Sequence, residues 1–313
     1  MHAELARICG SDRVRANAPL GAWTTFRVGG PAEFLVDVAS EAALLDVVAA
    51  ARSAGAPVTM LGGGSNTLVA DAGVRGVVIR LRLTEAAAVA PTIVRAGAGL
   101  TMNGLVRWTI GRGLAALEAW AGTPGTVGGA IYGNAHYGGR NISDVVSQVH
   151  VLSSDGRLET VPAAAMEFAY DTSRLQRTKE IAVWAEFHVA PGADVDVLRA
   201  AARASLAHRK RTQPLDIPSA GCIFQNPDPA RDRVPAGIPP SAGALVDRAG
   251  LKGLRIGGAA ISTTHGNFIV NDAGATAADI AALIDAARTA VREQFGVVLR
   301  EEVVRMGRFS SDG

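Results

Sequence analysis

Cysteine is nearly absent: the 313 residues contain two, Cys9 and Cys222. Two thiols without a histidine cluster beside them cannot complete a tetrahedral zinc site, so no metal is expected, and a lone disulfide is foreign to a reducing compartment. Charge of one sign is lacking as well. Against 31 Lys and Arg stand 29 Asp and Glu, so no overall basic field points to nucleic acid. The opening "MHAELARICGSDRVRANAPLG" has no apolar run long enough for a signal peptide or a membrane span, which predicts a cytoplasmic chain without membrane insertion. Internal repeats and low-complexity tracts are missing.

What is present is globular composition, 48% hydrophobic and 19% charged, at a length that accommodates two or three domains. Cys222 lies in "SAGCIFQNP" (219–227), and with metal and disulfide set aside it is either a small buried hydrophobe or a residue with chemistry to do. The dense basic run "HRKRTQP" (208–214) is either an anion site, because clustered cations attract multivalent anions, or a solvated helix end.

Apolar spacing predicts a helix over 41–55, followed by the β-like "VTML" and the loop "GGGSN". "GVVIRL" and "TIVRAGAG" read as strands, and "TMNGLVRWTIGRG" as a helix stopped by Gly111 and Gly113. Two β-rich runs around Ser154-Asp155-Gly156 carry a hairpin signal. "IAVWAEFHVA" alternates Ile181, Val183, Ala185, Phe187 and Val189 on one face, as a half-buried strand does. An Ala/Arg-rich helix over 194–211 leads to "TQPLDIPSAG", a Pro-containing candidate domain boundary. A helix is expected from Thr276, with Asp279 at capping-box spacing, to Gly296, and "VVLREEVVRMG" as a last strand.

Two glycine loops carry the first functional signal. "LGGGSNTLV" (61–69) follows a strand, and its glycines let backbone N–H groups converge on an anion. It is neither a dinucleotide fingerprint nor a P-loop, since it has no G-x-G-x-x-G and no G-K-[ST]. "AGTPGTVGGAIYGNA" (121–135) adds threonines and small residues against which a flat ring could lie. Either loop alone can be a tight turn; the two together suggest an extended phosphate-bearing cofactor.

The ordered set "WTTFRVGGPAEF", "LGGGSNTLV", "GTPGTVGGAIYGNA", "HRKRTQPL", "PSAGCIFQNP", "AGLKG", "HGNFIVN" and "LREEVVRMG" resembles the UDP-N-acetylenolpyruvoylglucosamine reductases, flavoenzymes of peptidoglycan precursor synthesis, from about residue 20 to residue 307. The resemblance implies an α+β fold with an FAD-binding domain of the vanillyl-alcohol-oxidase type, made of two subdomains, and a separate substrate-binding domain. The expected boundaries are 1–205 for FAD (subdomains about 1–75 and 76–205), 206–298 for substrate, and 299–313 for a terminal strand. It also implies hydride transfer from NADPH through FAD N5 to UDP-N-acetylglucosamine enolpyruvate.

The resemblance assigns FAD contacts to Gly62, Gly63, Gly64, Ser65, Asn66, Gly122, Thr123, Gly125, Thr126, Gly128, Gly129 and Ala130. It makes Cys222 the proton donor, which chemistry allows: a thiol, with an ordinary pKa of about 8.5, is mostly protonated at neutral pH. Glu302 matches the family's C-terminal catalytic glutamate, with Glu301 its neighbouring alternative; in an extended strand the two face opposite ways. Tyr170, Arg209, Lys210, Gln213, Asn226, His265 and Asn267 fall at substrate positions, with capping and turn roles as the plain alternative for the last three.

Two departures stand out. The family's usual Tyr-Arg-x-Ser, whose arginine grips the substrate carboxylate, is here "YDTSRLQ", with Asp171 in the arginine's place. Arg174 could reach the same spot if the segment is helical, and is the expected replacement. "GNAHYGG" is one residue shorter than the commoner family loop and sets His136 beside the expected flavin site. A different oxidase of the same fold and a non-catalytic nucleotide-sugar binder are the competing readings.

Overall fold

The structure is a computed structural model and describes residues 1–309; residues 310–313, counted above with the terminal segment, lie outside the described residues. The chain divides into two compact units. The first comprises Met1–Asn17, Glu33–Gly63 and Arg75–His208, and the second Ala18–Ala32, Gly64–Val74 and the chain from Arg209 onward.

In the first unit, helix Glu41–Ser53 starts where the Ser40 hydroxyl accepts from the Ala43 N–H, and buries Leu44, Val47 and Ala51. Its apolar face shares a core with Val36, Val38, Val77 and Ile79 of a four-stranded sheet. In that sheet Val58–Met60 runs parallel to Val74–Leu81 and feeds directly into the first glycine loop. A five-stranded antiparallel sheet follows, in the order Leu158–Pro162, Val146–Leu152, Ile181–His188, Ile93–Gly97, Ala86–Ala90. The hairpin expected at Ser154-Asp155-Gly156 is there, with Leu152 opposite Leu158 and Gly156 at φ +91°. Helices Met102–Ile110 and Val127–Tyr132 pack on this sheet through Met102, Leu105, Val127 and Ile131.

Strand Ile181–His188 corrects one expectation. It is central in its sheet, and residues of both parities are buried, Ala182 and Glu186 as well as Val183 and Phe187. Alternation failed as a guide because Glu186 is buried with partners: Arg95 at 2.7 Å and the Gln148 amide at 2.8 Å.

The second unit is built on helix Ala277–Phe295, whose capping box between Thr276 and Asp279 is formed and whose Ile280, Leu283, Ile284, Ala287 and Val291 are buried. It packs with a three-stranded antiparallel sheet, Arg255–Ile256, Ala259–Ile261 and Ile269–Asn271. The expected last strand over 297–307 shortens to Val304–Met306, paired in parallel with Thr67–Val69. The cause lies just before it: the N–H groups of Glu302 and Val303 both point to the Ile223 carbonyl (2.8 and 3.3 Å), which a regular ladder does not permit.

Candidate functional site

Within the first unit the two glycine loops meet backbone to backbone. A Cβ on Gly63 would stand 2.6 Å from Gly125 Cα, and one on Gly62 would stand 2.9 Å from Thr126 Oγ1. Side chains are therefore excluded from this surface by contact between its own halves. The second loop is anchored from beneath: Gly122 N–H donates to Asn103 Oδ1 at 2.7 Å, Met102 N–H to the Gly125 carbonyl, and Val127 N–H to the Leu100 carbonyl. Gly128, Gly129 and Ala130 lie inside helix Val127–Tyr132, their N–H groups bonded to Ala98 O, Thr126 Oγ1 and Thr126 O. What they offer a ligand surface is the absence of bulk, as expected of small residues against which a flat ring could lie.

The segments 132–136 and 169–176 of the same unit are laced together. The Asn134 amide donates to Ala169 O at 2.9 Å, the Ser173 hydroxyl to Tyr132 O at 2.9 Å, and the Gln176 amide to Tyr132 O and Asp171 O. Ala169 and Thr172 close a tight turn that sets Asp171 at φ +57°. Its side chain is only 7% exposed and lies 3.0 Å from His136 Nδ1. Asp171 Oδ2 is buried without a hydrogen-bond partner. The rings of His136 and Tyr170 lie 5.1 Å apart, and Tyr170 is 44% exposed.

Arg174 does not take up the role expected of it. It sits at the start of the short helix Leu175–Thr178, and its guanidinium grips Glu180 with two donors, Nε to Oε2 at 2.8 Å and Nη2 to Oε1, with Glu159 beyond. The hydrogen bonds of Arg174 hold the Glu180 carboxyl below the usual range and raise the arginine in turn. Arg174→Ala is expected to lower stability by about 1–3 kcal/mol, read as a thermal shift, and to leave substrate turnover unchanged. Because the Glu180 value is depressed, this stabilisation is present above the unfolded pKa of about 4.3 and disappears as pH falls through the lower folded value. Wild type and variant should converge in acid; a variant of unchanged stability that has lost turnover would return Arg174 to the site.

In the second unit, Cys222 is a half-buried thiol that follows Gly221 at φ +79°. The residues after it lie against the C-terminal segment: Phe224 bridges Glu301, Gln225 N–H donates to Arg300 O, and Glu302 N–H donates to Ile223 O. The Asn66 amide donates to Glu302 O at 3.0 Å, and Val304 N–H to Asn66 O. The Glu301 side chain is held by two arginines. Both Glu301 oxygens are taken, Oε1 by Arg288 and by Arg305 at 3.0 Å, and Oε2 by Arg305 at 2.9 Å. Glu301 is thus committed to ion pairs within this unit.

The remaining substrate candidates divide. Asn267 is 3% exposed and its amide bonds twice to Phe224, accepting from the N–H at 2.9 Å and donating to the carbonyl at 2.7 Å. It shapes the cysteine turn. His265 Nδ1 accepts from the Asn267 N–H at 3.2 Å; burial, then the Lys252 charge, push its pKa down, so the ring is a neutral acceptor. Asn226 Oδ1 accepts from Ala242 N–H at the start of helix Ala242–Arg248. Helix Val195–Thr212 runs through the basic stretch, leaving Arg209 buried and Lys210 exposed, so the two expected phosphate ligands do not share one surface. Gln213 follows it, its N–H bonded to Arg209 O.

Comparison with known proteins decides the lineage. The family model "UDP-N-acetylenolpyruvoylglucosamine reductase, C-terminal domain" matches residues 213–306, and "FAD binding domain" matches 32–162. A UDP-N-acetylenolpyruvoylglucosamine reductase of Heliobacterium modesticaldum is 41% identical over 290 residues, 92% of this chain and 89% of that protein. This chain belongs to that reductase family. The Bacillus subtilis member is 38% identical over 296 residues, 94% of this chain and 94% of its own. The crystal structure of the Thermus caldophilus reductase superposes with a TM-score of 0.76 at 33% identity, covering 94% of this chain and 99% of that one. The fold class is accordingly the family's, α+β with an FAD-binding domain of the vanillyl-alcohol-oxidase type. Among the described residues no helix is long and apolar enough to cross a membrane.

Proposed function

We propose that this chain is an FAD-containing, NADPH-dependent oxidoreductase that reduces UDP-N-acetylglucosamine enolpyruvate to UDP-N-acetylmuramate in peptidoglycan precursor synthesis. The observation that carries this reading is family membership over more than nine-tenths of the chain. The match of 213–306 to the reductase C-terminal domain favours it over another oxidase of the same fold. We place the enzyme in the cytoplasm, in keeping with its use of NADPH.

The FAD site fits the residues present. Gly62, Gly63, Gly125 and Thr126 meet backbone to backbone with no side chain between them, which suits a surface that a flat cofactor approaches closely. Gly62, Gly63 and Gly122–Thr126 are the residues of the first unit that would hold it, in a cofactor domain assigned to 1–205. When bound, FAD supplies hydride transfer between NADPH and the substrate's unsaturated carbon.

The protein's own task is the proton and the charge. As hydride adds to one vinyl carbon, negative charge spreads from the other into the carboxylate attached to it. We assign the balancing proton to the Cys222 thiol, which completes addition of H⁻ and H⁺ across the C=C bond. Glu302, whose backbone is pinned by Ile223 O and the Asn66 amide, is the group assigned to steady the charged carbon or to handle protons there. The substrate domain is assigned to 206–298, with 299–313 carrying Glu302. Purified enzyme is expected to be yellow, to bleach with NADPH in the absence of oxygen, and to recover its colour when the enolpyruvyl substrate is added. Protein that cannot be reconstituted with FAD, or whose reduced form ignores the substrate, would overturn the reading.

A further inference from the structure

We infer that a cleft in the first unit, between helix Met102–Ile110 and the first-unit part of helix Val195–Thr212, binds an amphipathic anion: a phosphate head with an apolar tail. The inference is independent of the proposed reaction and uses none of its residues. The cleft has a volume of about 360 Å³, and Arg107, Arg199 and Arg203 line it together with Ile110, Ala202 and Leu206. No acidic residue is among the lining side chains. In a chain whose 31 Lys and Arg stand against 29 Asp and Glu, three guanidiniums on one cleft are a local separation of charge.

Helical spacing explains the convergence. Arg199, Arg203 and Leu206 recur at i, i+4 and i+7 and so form one stripe, and Arg107 and Ile110 stand one turn apart on the other helix. Ile110 is 7% exposed and Ala202 9%, and both belong to the core of this unit, which makes the floor of the cleft apolar and fixed. Leu206, 39% exposed, extends that floor toward solvent. Arg199 holds the exposed Asp196 at 3.0 Å, whereas the guanidiniums of Arg107 and Arg203 have no hydrogen-bond or ion-pair partner among the described residues. Arg112, just past the first helix, is otherwise engaged: it stacks over the Trp108 ring, 3.9 Å from its centroid.

Size and charge select the occupant. A stable protein partner buries about 800 Å² a side, far more than one cleft of this size offers, whereas small-molecule sites begin at about 300 Å³. Two guanidinium forks without carboxylate partners match the oxygens of one phosphate, and their charge balances the roughly two negative charges of a phosphate monoester. The apolar floor is left for a hydrocarbon tail, whose burial against Ile110, Ala202 and Leu206 adds to the affinity. The plain alternative is that the arginine stems lie along this floor and keep their heads in water, with nothing bound.

Octyl phosphate, kept below its micelle-forming concentration, is the probe, titrated into the full chain as purified and followed by ligand-observed NMR. Inorganic phosphate tests the head alone and octanol the tail alone. Wild type should bind octyl phosphate at least about 10-fold more tightly than either fragment. Arg107→Gln and Arg203→Gln should each weaken it about 10-fold, the usual loss of one charge-assisted contact. Leu206→Ser should weaken octyl phosphate and leave inorganic phosphate unchanged. Arg292→Gln, at an exposed arginine of the second unit, controls for net charge and should have no effect. All four substitutions are at exposed side chains, and thermal unfolding should match wild type. A wild type that binds no octyl phosphate, or binds it no better than either fragment, overturns the inference. So does a loss with Arg292→Gln as large as with Arg107→Gln and Arg203→Gln. Binding to vesicles of anionic phospholipid without binding of the monomeric probe would overturn it too, because a charged surface and not the cleft would then be what is recognised.

Discussion

Cys222→Ala is expected to leave reduction of the bound flavin by NADPH at the wild-type rate and to slow reoxidation by the enolpyruvyl substrate about 10²- to 10⁴-fold, the usual loss when a positioned general acid is removed. In the proposed cycle the two half-reactions separate because delivery of hydride to the cofactor needs no proton from Cys222, whereas the quenching of the carbanionic centre assigned to that thiol does. Cys222→Ser should recover much of the second rate, since a hydroxyl can stand in as donor, although as a weaker acid. The rival account is that Cys222 is a small half-buried side chain that shapes the turn between Gly221 and Ile223. On that account alanine, nearly the same size, would be tolerated. Rapid-mixing spectra of the reduced variant therefore decide the matter: reoxidation at the wild-type rate would make the thiol a packing residue.

How much of this was legible in the sequence depends on how far apart the deciding partners lie. Local rules sufficed for helix Glu41–Ser53 with its Ser40 cap, for the hairpin at Gly156 and for the Thr276–Asp279 capping box, because each signal and its partner lie within a few residues. The glycine loops were legible as loops, but not the contact of Gly63 with Gly125 that explains why both must lack side chains. Partners from distant segments were invisible. In the sequence Glu301 and Glu302 read as a strand pair, yet the Glu301 carboxyl is held by Arg288 and Arg305 and the Glu302 N–H by the Ile223 carbonyl. Asn267 carries nothing in its neighbourhood to say that its amide bonds to Phe224.

Two misses had a signal. Consecutive residues on a helix point about 100° apart, so continuing helix Val195–Thr212 through the basic run would have separated Arg209 from Lys210. In "AYDT" an aspartate at a tight turn is one of the few residues at ease at positive φ, and the observed +57° sets the Asp171 side chain against His136. The lost arginine and the new histidine belong to one arrangement that neither segment displays alone.

Gly63→Ala is expected to yield protein that purifies without colour and binds added FAD about 10- to 100-fold more weakly, equivalent to about 1.4–2.8 kcal/mol. Gly63 is not in the left-handed region, so alanine is no strain on its own backbone; the new Cβ would stand 2.6 Å from Gly125 Cα, and one loop must move. Gly64→Ala combines two faults, φ +62° and a Cβ placed 2.1 Å from the Trp23 carbonyl, and should destabilise the fold more broadly. Gly55→Ala is the control. It shares the left-handed backbone at φ +64° but meets nothing within 4 Å, so it carries only the conformational cost of about 1–2 kcal/mol and should keep its flavin. Flavin content, FAD titration and thermal unfolding of the three variants separate a cradle from a mere turn. If Gly63→Ala holds FAD as tightly as Gly55→Ala does, the meeting of the two glycine loops is a packing feature and the cofactor lies elsewhere.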